Sequence, residues 1–226
     1  MTHFLALDLN VTLIQLKNLR AFVLVLAPCR DVTDNTSGIY VFSDGNKCEV
    51  KLDGVIIKDN AGSGSYVRCG GGVIDMNNVD ASNNQGMGVS LSSPLTSNTT
   101  PTMDLKLKGA TKMNGNGRDG IGIDSFKGVD MKWKVEVEGD VELTLNEQAG
   151  LGARLIDEDA SLEVDVKEGG SLALCDNGFF HGREVDILLM GYGSQAWTGE
   201  GLMCDQDKVI WKEPNVPKCG KACPSS

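Results

Sequence analysis

Leu105-Lys-Leu-Lys-Gly, then Asn116, then Ile121-Gly-Ile: thirty residues on, the chain runs Val135-Glu-Val-Glu-Gly, Asn146, Leu151-Gly-Ala. The first block of each copy alternates apolar and charged side chains, the period of a strand with one buried face. It closes on glycine, which tolerates the left-handed backbone of a sharp corner. Working outward, the same block recurs as Ile14-Gln-Leu-Lys-Asn, Val50-Lys-Leu-Asp-Gly, Ile74-Asp-Met-Asn-Asn and Val164-Asp-Val-Lys-Glu. The Asn recurs too: Asn35 before Gly38-Ile-Tyr-Val, Asn60 before Tyr66-Val67, Asn84 before Gly88-Val-Ser-Leu, and Asn177 before Val185-Asp-Ile. Successive Asn spacings are 25, 24, 32, 30 and 31. A third apolar stretch, such as Val55-Ile-Ile, Val79-Asp-Ala, Val141-Glu-Leu-Thr-Leu or Leu172-Ala-Leu, lies between the two.

Three short strands and three corners per repeat describe an all-β, single-stranded parallel β-helix of about six coils with three strands per coil, its inward side chains stacked in ladders about 4.8 Å apart. Residues 1–190 hold the coils; 191–226 read as a final partial coil and a Cys- and Pro-rich tail. The composition agrees. The chain has 226 residues, 28 of them Gly, and is 41% hydrophobic but 5% aromatic, as a narrow core of stacked Val, Ile and Leu requires. A propeller blade needs about 40 to 45 residues, and the Leu and Asn spacing of a leucine-rich repeat is absent.

Acidic residues number 31 against 21 basic, giving a net charge of -10 and a pI near 4.7. That excludes a nucleic-acid binder, which needs clustered Lys and Arg. The longest apolar run, residues 21–28, is far short of a membrane span. The acidity resolves column by column. In the outward column of the second strand we expect Gln15, Lys51, Asp75, Lys106, Glu136 and Asp165 as neighbours, and beside it Asp104, Lys134 and Glu163. On the first strand the expected column is Arg68, Ser90, Asp124, Arg154 and Asp186. Opposite signs mostly alternate, which stabilises a sheet and fixes its register. The carboxylates left without an assigned partner are Glu136 over Asp165, and Asp157 and Asp159; these are the candidate calcium ligands.

Gly115-Asn-Gly-Arg-Asp-Gly120 has the spaced glycines of a dinucleotide site, but a strand follows where a helix N-terminus is needed, so it reads as a corner. Cys29, Cys48, Cys69 and Cys175 lie in or beside the coils and read as small core residues. Cys204, Cys219 and Cys223 share the tail with Pro214, Pro217 and Pro224, which reads as a disulfide-pinned cap in an oxidising compartment. Asn10, Asn35 and Asn98 head Asn-X-Ser/Thr triplets; Asn98 lies in the polar insertion 92–102. That insertion and the loop 191–201, with Tyr192 and Trp197, are the expected places of ligand contact. Trp133 falls in the column of Met103 and reads as packing.

On its Asn-Gly corners and phrases such as Asn10-Val-Thr-Leu, the chain over roughly residues 4–190 resembles the right-handed parallel β-helix, or pectin-lyase-like, superfamily. The resemblance implies right-handed coils, and admits two functions. One is a non-catalytic extracellular or surface protein presenting rigid faces to a polysaccharide or a surface protein. The other is a polysaccharide lyase or glycoside hydrolase, with Asp124, Arg154, His181 and Arg183 as the candidate catalytic residues. The hydrolase motifs Asn-Thr-Asp, Asp-Asp, Gly-His-Gly and Arg-Ile-Lys are absent, and Phe180-His-Gly-Arg echoes them only in part. A face without aromatic rings and with alternating charge favours the first function. Strand pattern begins already at Phe4, so the first coil reads as uncapped, open to self-association, and preceded in the natural protein by further coils and a signal peptide.

Overall fold

The computed structural model describes residues 3–6, 21–26, 30–33, 38–43, 47–95, 100–181, 183–199, 201–210, 219 and 223, with side chains from residue 38 onward. Three parallel sheets run along one solenoid. The longest stacks His3–Ala6, Ala21–Leu26, Lys47–Asp53, Gly72–Asn77, Thr102–Lys108, Lys132–Val137, Ser161–Val166 and Ser194–Thr198. The second stacks Ala110–Lys112, Asp140–Glu142, Ser171–Ala173 and Leu202–Met203, and single bridges through Asp80 connect it to the pair Arg30–Thr33 and Val55–Lys58. The third stacks Ile39–Ser43, Ser65–Cys69, Val89–Ser92, Ile121–Ser125, Leu151–Leu155, Ile187–Gly191 and Val209–Ile210. The all-β parallel β-helix expected from the repeat is what forms. Among the described residues no helix is long and apolar enough to cross a membrane.

Alternation puts every second side chain inside. On the long sheet Met103, Trp133 and Leu162 stack in one inward column and Leu105, Val135 and Val164 in the next, all at most 2% exposed. Trp133 is therefore core, as its column position implies, and its indole N–H donates to Ser125 Oγ at 2.8 Å. Such a buried donor needs a partner, because leaving it dry costs about 1–3 kcal/mol.

The recurrent Asn forms a continuous ladder. Asn60, Asn84, Asn116, Asn146 and Asn177 are all buried. In each step the lower Oδ1 accepts from both the backbone N–H and the Nδ2 of the Asn above; for Asn116 on Asn146 both distances are 3.0 Å. The same pair of bonds recurs between Asn60 and Asn84, Asn84 and Asn116, and Asn146 and Asn177. Asn35 lies outside the described residues.

A second column explains the corner glycines. A Cβ on Gly64 would come within 2.7 Å of Asn84 Nδ2, and one on Gly88, Gly120 or Gly150 within 2.9, 3.0 or 2.9 Å of the next Asn amide. Only glycine leaves room there. The next member of that column is Asp186, and its carboxylate fills the place of a following Asn. Its Oδ1 accepts from Asn177 Nδ2 and its Oδ2 from the Asp205 N–H. The ladder ends on it.

The cysteines differ from expectation. Cys48 and Cys69 are not free thiols: they form a disulfide that ties the long sheet to the third within one coil, Cα–Cα 6.0 Å. Cys175 is also bonded, to Cys223, and Cys204 pairs with Cys219, so the tail is pinned twice to the last turns. Strand alternation places Cys48 and Cys69 inward, but a sequence pattern does not show that adjacent faces bring them within bonding distance. Cys29 lies outside the described residues.

Candidate functional site

The outer face of the third sheet carries two columns. One is Phe42, Arg68, Ser92, Asp124, Arg154 and Met190; the other is Tyr40, Tyr66, Ser90, Gly122, Gly152 and Leu188. This corrects the expected column at two places: Ser92, not Ser90, lies between Arg68 and Asp124, and Asp186 is not in it. Ser92 is the fourth residue of a strand that starts at Val89, as Arg68 and Asp124 are of theirs, so the column there follows strand register; for Asp186 the cause is an insertion. Elsewhere the strand starts five residues after the ladder Asn, but between Asn177 and Ile187 an antiparallel hairpin, Phe179–Phe180 with Arg183–Glu184, intervenes. The face is not free of rings either. Tyr40 and Tyr66 stack at 5.0 Å, and Arg68 lies between the rings of Phe42 and Phe126, 5.2 Å from each. These aromatic faces contact each other or the guanidinium.

Further along the face, the two stacked glycines open a recess. A Cβ on Gly122 would run into the Met87 sulfur, and one on Gly152 would lie 2.9 Å from Asp119 Cγ and Oδ1. Met87 and Asp119, from successive corners, fold flat into that space. The result is a groove of about 410 Å³. Its polar lining is Asp119, Arg118, Gln148 and the Asp124–Arg154 pair; Leu188 and Met190, which follow Gly152 and Arg154 in their columns, form with Phe180 its apolar wall. Leu188 belongs to a small apolar cluster outside the main core, with Ala149, Val185, Phe180, Met190 and Ile210.

Asp119 is 5% exposed. Its Oδ1 accepts from the Ala149 N–H at 3.1 Å. Burial raises its pKa to about 6, with nearby Asp124 adding to the rise and Arg118 opposing it. Asp124 accepts from Arg154 Nε at 3.0 Å. The site therefore sets a carboxyl that gains its proton near neutrality beside a carboxylate paired with a guanidinium.

Asp124 and Arg154 thus share the groove. His181 and Arg183 do not line it; they are exposed on the hairpin whose Phe180 does, and the His181 ring meets the Phe180 ring edge-on at 4.3 Å. Glu136 and Asp165 are cross-strand neighbours, but lysines surround them. Lys134, Lys106 and Lys167 lie 2.8, 3.4 and 3.8 Å from Glu136, and Lys167 also contacts Asp165. Hydrogen bonds from Lys134 and from Lys167 hold the two carboxyls below their usual range. Asp157 caps a corner, its Oδ2 accepting from the Gly128 and Val129 N–H groups at 2.6 and 3.2 Å, while Asp159 is exposed. Among the described residues the closest convergence of metal-ligating atoms is Asp186, Asp205 and Cys223, and the Cys223 sulfur is already bonded to Cys175.

The neighbour of Lys51 is Val25, not Gln15, which lies outside the described residues, as do Asn10 and Asn98. Trp197 pairs in register with Val164 and packs on the core, leaving Tyr192 as the exposed ring of that segment. Asp119 was not legible as a site residue. The available signal was Gly122 and Gly152, two strand-interior glycines one repeat apart, which mark a close approach from outside. No protein-family model matches the chain, and no curated protein or solved structure matches it.

Proposed function

We propose that the chain is a non-enzymatic extracellular or surface β-helix protein, of the right-handed pectin-lyase-like kind, whose third-sheet groove binds a glycan. The groove itself carries this reading: a recess cut by Gly122 and Gly152, lined both by hydrogen-bonding groups and by Phe180, Leu188 and Met190. Saccharide sites have this mixed character, because a pyranose presents apolar C–H faces and polar hydroxyl edges. Three disulfides support an oxidising compartment. The solenoid offers a rigid surface for the purpose, as solenoids do.

A glycan array followed by calorimetry tests this. Binding that disappears in Arg154→Ala and survives in Lys106→Ala, on a different sheet, is the expected result; binding unaffected by Arg154→Ala overturns the placement. Polysaccharide cleavage, by a lyase or a hydrolase, is the second reading, favoured by the Asp119 carboxyl set beside paired Asp124. Release of unsaturated uronate, followed by ultraviolet absorbance with and without calcium, or of new reducing ends, would establish it.

A further inference from the structure

Oδ1 of Asp119 accepts from the Ala149 N–H, the one hydrogen bond that another described residue makes to this carboxyl, and the N–H of Asp119 itself also acts on it. The carboxyl lies flat against Gly152, with both oxygens about equally close to where a Cβ would be, at 2.9 and 3.0 Å. It is nine-tenths buried and still lines the groove. A buried carboxyl that accepts through one oxygen can, when protonated, donate from the other. The same groove is lined by Phe180, Leu188 and Met190, with Leu188 the register neighbour of Gly152.

Resting on the glycan reading above, we propose that protonated Asp119 donates from Oδ2 to an uncharged carbonyl oxygen of the ligand, and that the ligand is an N-acetylated hexosamine chain. The acetamido group matches both linings of the recess: its carbonyl takes the proton donor and its methyl packs on the apolar wall. A sugar carrying only hydroxyls can lay a C–H face on the wall, but it offers the donor no carbonyl and the wall no methyl. Ionised Asp119 offers no donor and repels acceptor oxygens, so binding is linked to a proton.

The surrounding charges are consistent with that linkage. Arg118, on the same corner, favours ionisation; Asp124, on the neighbouring strand, opposes it and is itself paired with Arg154. The next corner contributes uncharged Gln148 and Ala149, and the hairpin places His181, Arg183 and Glu184 beyond Phe180. With a midpoint of about 6, the protonated fraction is about 0.9 at pH 5 and about 0.01 at pH 8, so an affinity that needs the proton falls about 90-fold between them.

Calorimetric titration with tri-N-acetylchitotriose and with cellotriose, at both pH values, tests the proposal on the wild type, Asp119→Asn and His181→Gln. The expected result is acetyl-dependent binding that weakens about 90-fold toward pH 8. Asp119→Asn, whose amide donates at any pH, should bind without pH dependence, and His181→Gln, a change on the hairpin that does not line the groove, should follow the wild type, which assigns the pH response to the Asp119 carboxyl. Glycan binding of equal strength at both pH values, or equal for the two sugars, overturns the inference and leaves the glycan reading standing. Absence of any binding from a full glycan array overturns the glycan reading itself. The carboxyl is also read without ligand, by carbon-13 NMR titration: an Asp119 midpoint in the ordinary carboxylate range refutes the proposal whatever the sugars do.

Discussion

Leu145→Asn should make this protein more stable, although it removes an apolar side chain. The residue just before each ladder Asn has a left-handed backbone: φ is 56° at Asp59, 58° at Asn83, 63° at Gly115, 59° at Leu145 and 55° at Asp176. Four of the five are residues that accept this conformation with little strain; leucine does not, and the cost is about 1–2 kcal/mol. Leu145 recovers little by burial, being 64% exposed. Covering the remaining third of a leucine side chain is worth about 0.5–1 kcal/mol. The balance favours Asn by about 0.5–1 kcal/mol, or roughly 1–4 °C in Tm for a chain of this size. Glycine should come out near neutral, because its relief of strain is offset by the extra freedom it gives the unfolded chain. Urea and thermal unfolding of Leu145→Asn, Leu145→Gly and the reverse swap Asn83→Leu measure all three. A Leu145→Asn protein less stable than wild type, or an Asn83→Leu protein unchanged, would refute the account of the corner.

Asp119→Asn should stabilise the fold in a pH-dependent manner. A native pKa raised to about 6 means the folded state holds a proton that the unfolded carboxyl releases near pH 4, so the native advantage is complete below pH 4 and lost as pH rises toward 6. Above pH 7 the ionised carboxyl costs up to about 3 kcal/mol, which Asn removes; unfolding curves at pH 4 and pH 8 should therefore differ in the size of the mutant's gain. Asn146→Ala should cost about 3–5 kcal/mol by denaturant unfolding, since it strips the acceptor from two buried donors of Asn116 and the donor to Asn177 Oδ1. Opening Cys175–Cys223, which closes a separation of 48 residues, should cost about 4 kcal/mol by chain entropy, read as the Tm difference between wild type and a double Cys→Ala variant. Gly120→Ala should destabilise by more than the ordinary Gly-to-Ala change, because its Cβ meets Asn146 Nδ2 at 3.0 Å and the Gly150 carbonyl at 2.8 Å.

The sequence made the solenoid legible because its strongest signals are local and repeated: a period-2 block, a corner and an Asn at near-constant spacing. Once those are aligned, the long-sheet columns follow by counting, and Lys51, Asp75, Lys106, Glu136 and Asp165 do stack in that order. Counting fails where the repeat is interrupted. The hairpin before Ile187 displaced Asp186 from an outward charge column to the buried end of the Asn ladder. Of the partners of Glu136, Lys106 is its direct neighbour in the column, whereas Lys134, two residues back on the same strand, and Lys167, just past the end of the next strand, reach it from adjacent columns, and a column-by-column reading sees only direct neighbours. Asp119 required knowing which strand glycines face outward and what folds over them.

The ladder is also directional. Every amide in it donates toward the C-terminal end and accepts from the N-terminal side, so the row of Asn side chains has a head and a tail like a chain of one-way couplings. Asp186 is a terminator: it accepts from Asn177, and its second oxygen is already taken by the backbone of Asp205. New coils are therefore tolerated by duplication between Asn84 and Asn177, where each inserted Asn finds a donor above and an acceptor below. Appended after Asp186, the same coil would meet a side chain with nothing left to offer it. Growth of this protein by repeat duplication is open in the middle and closed at that end.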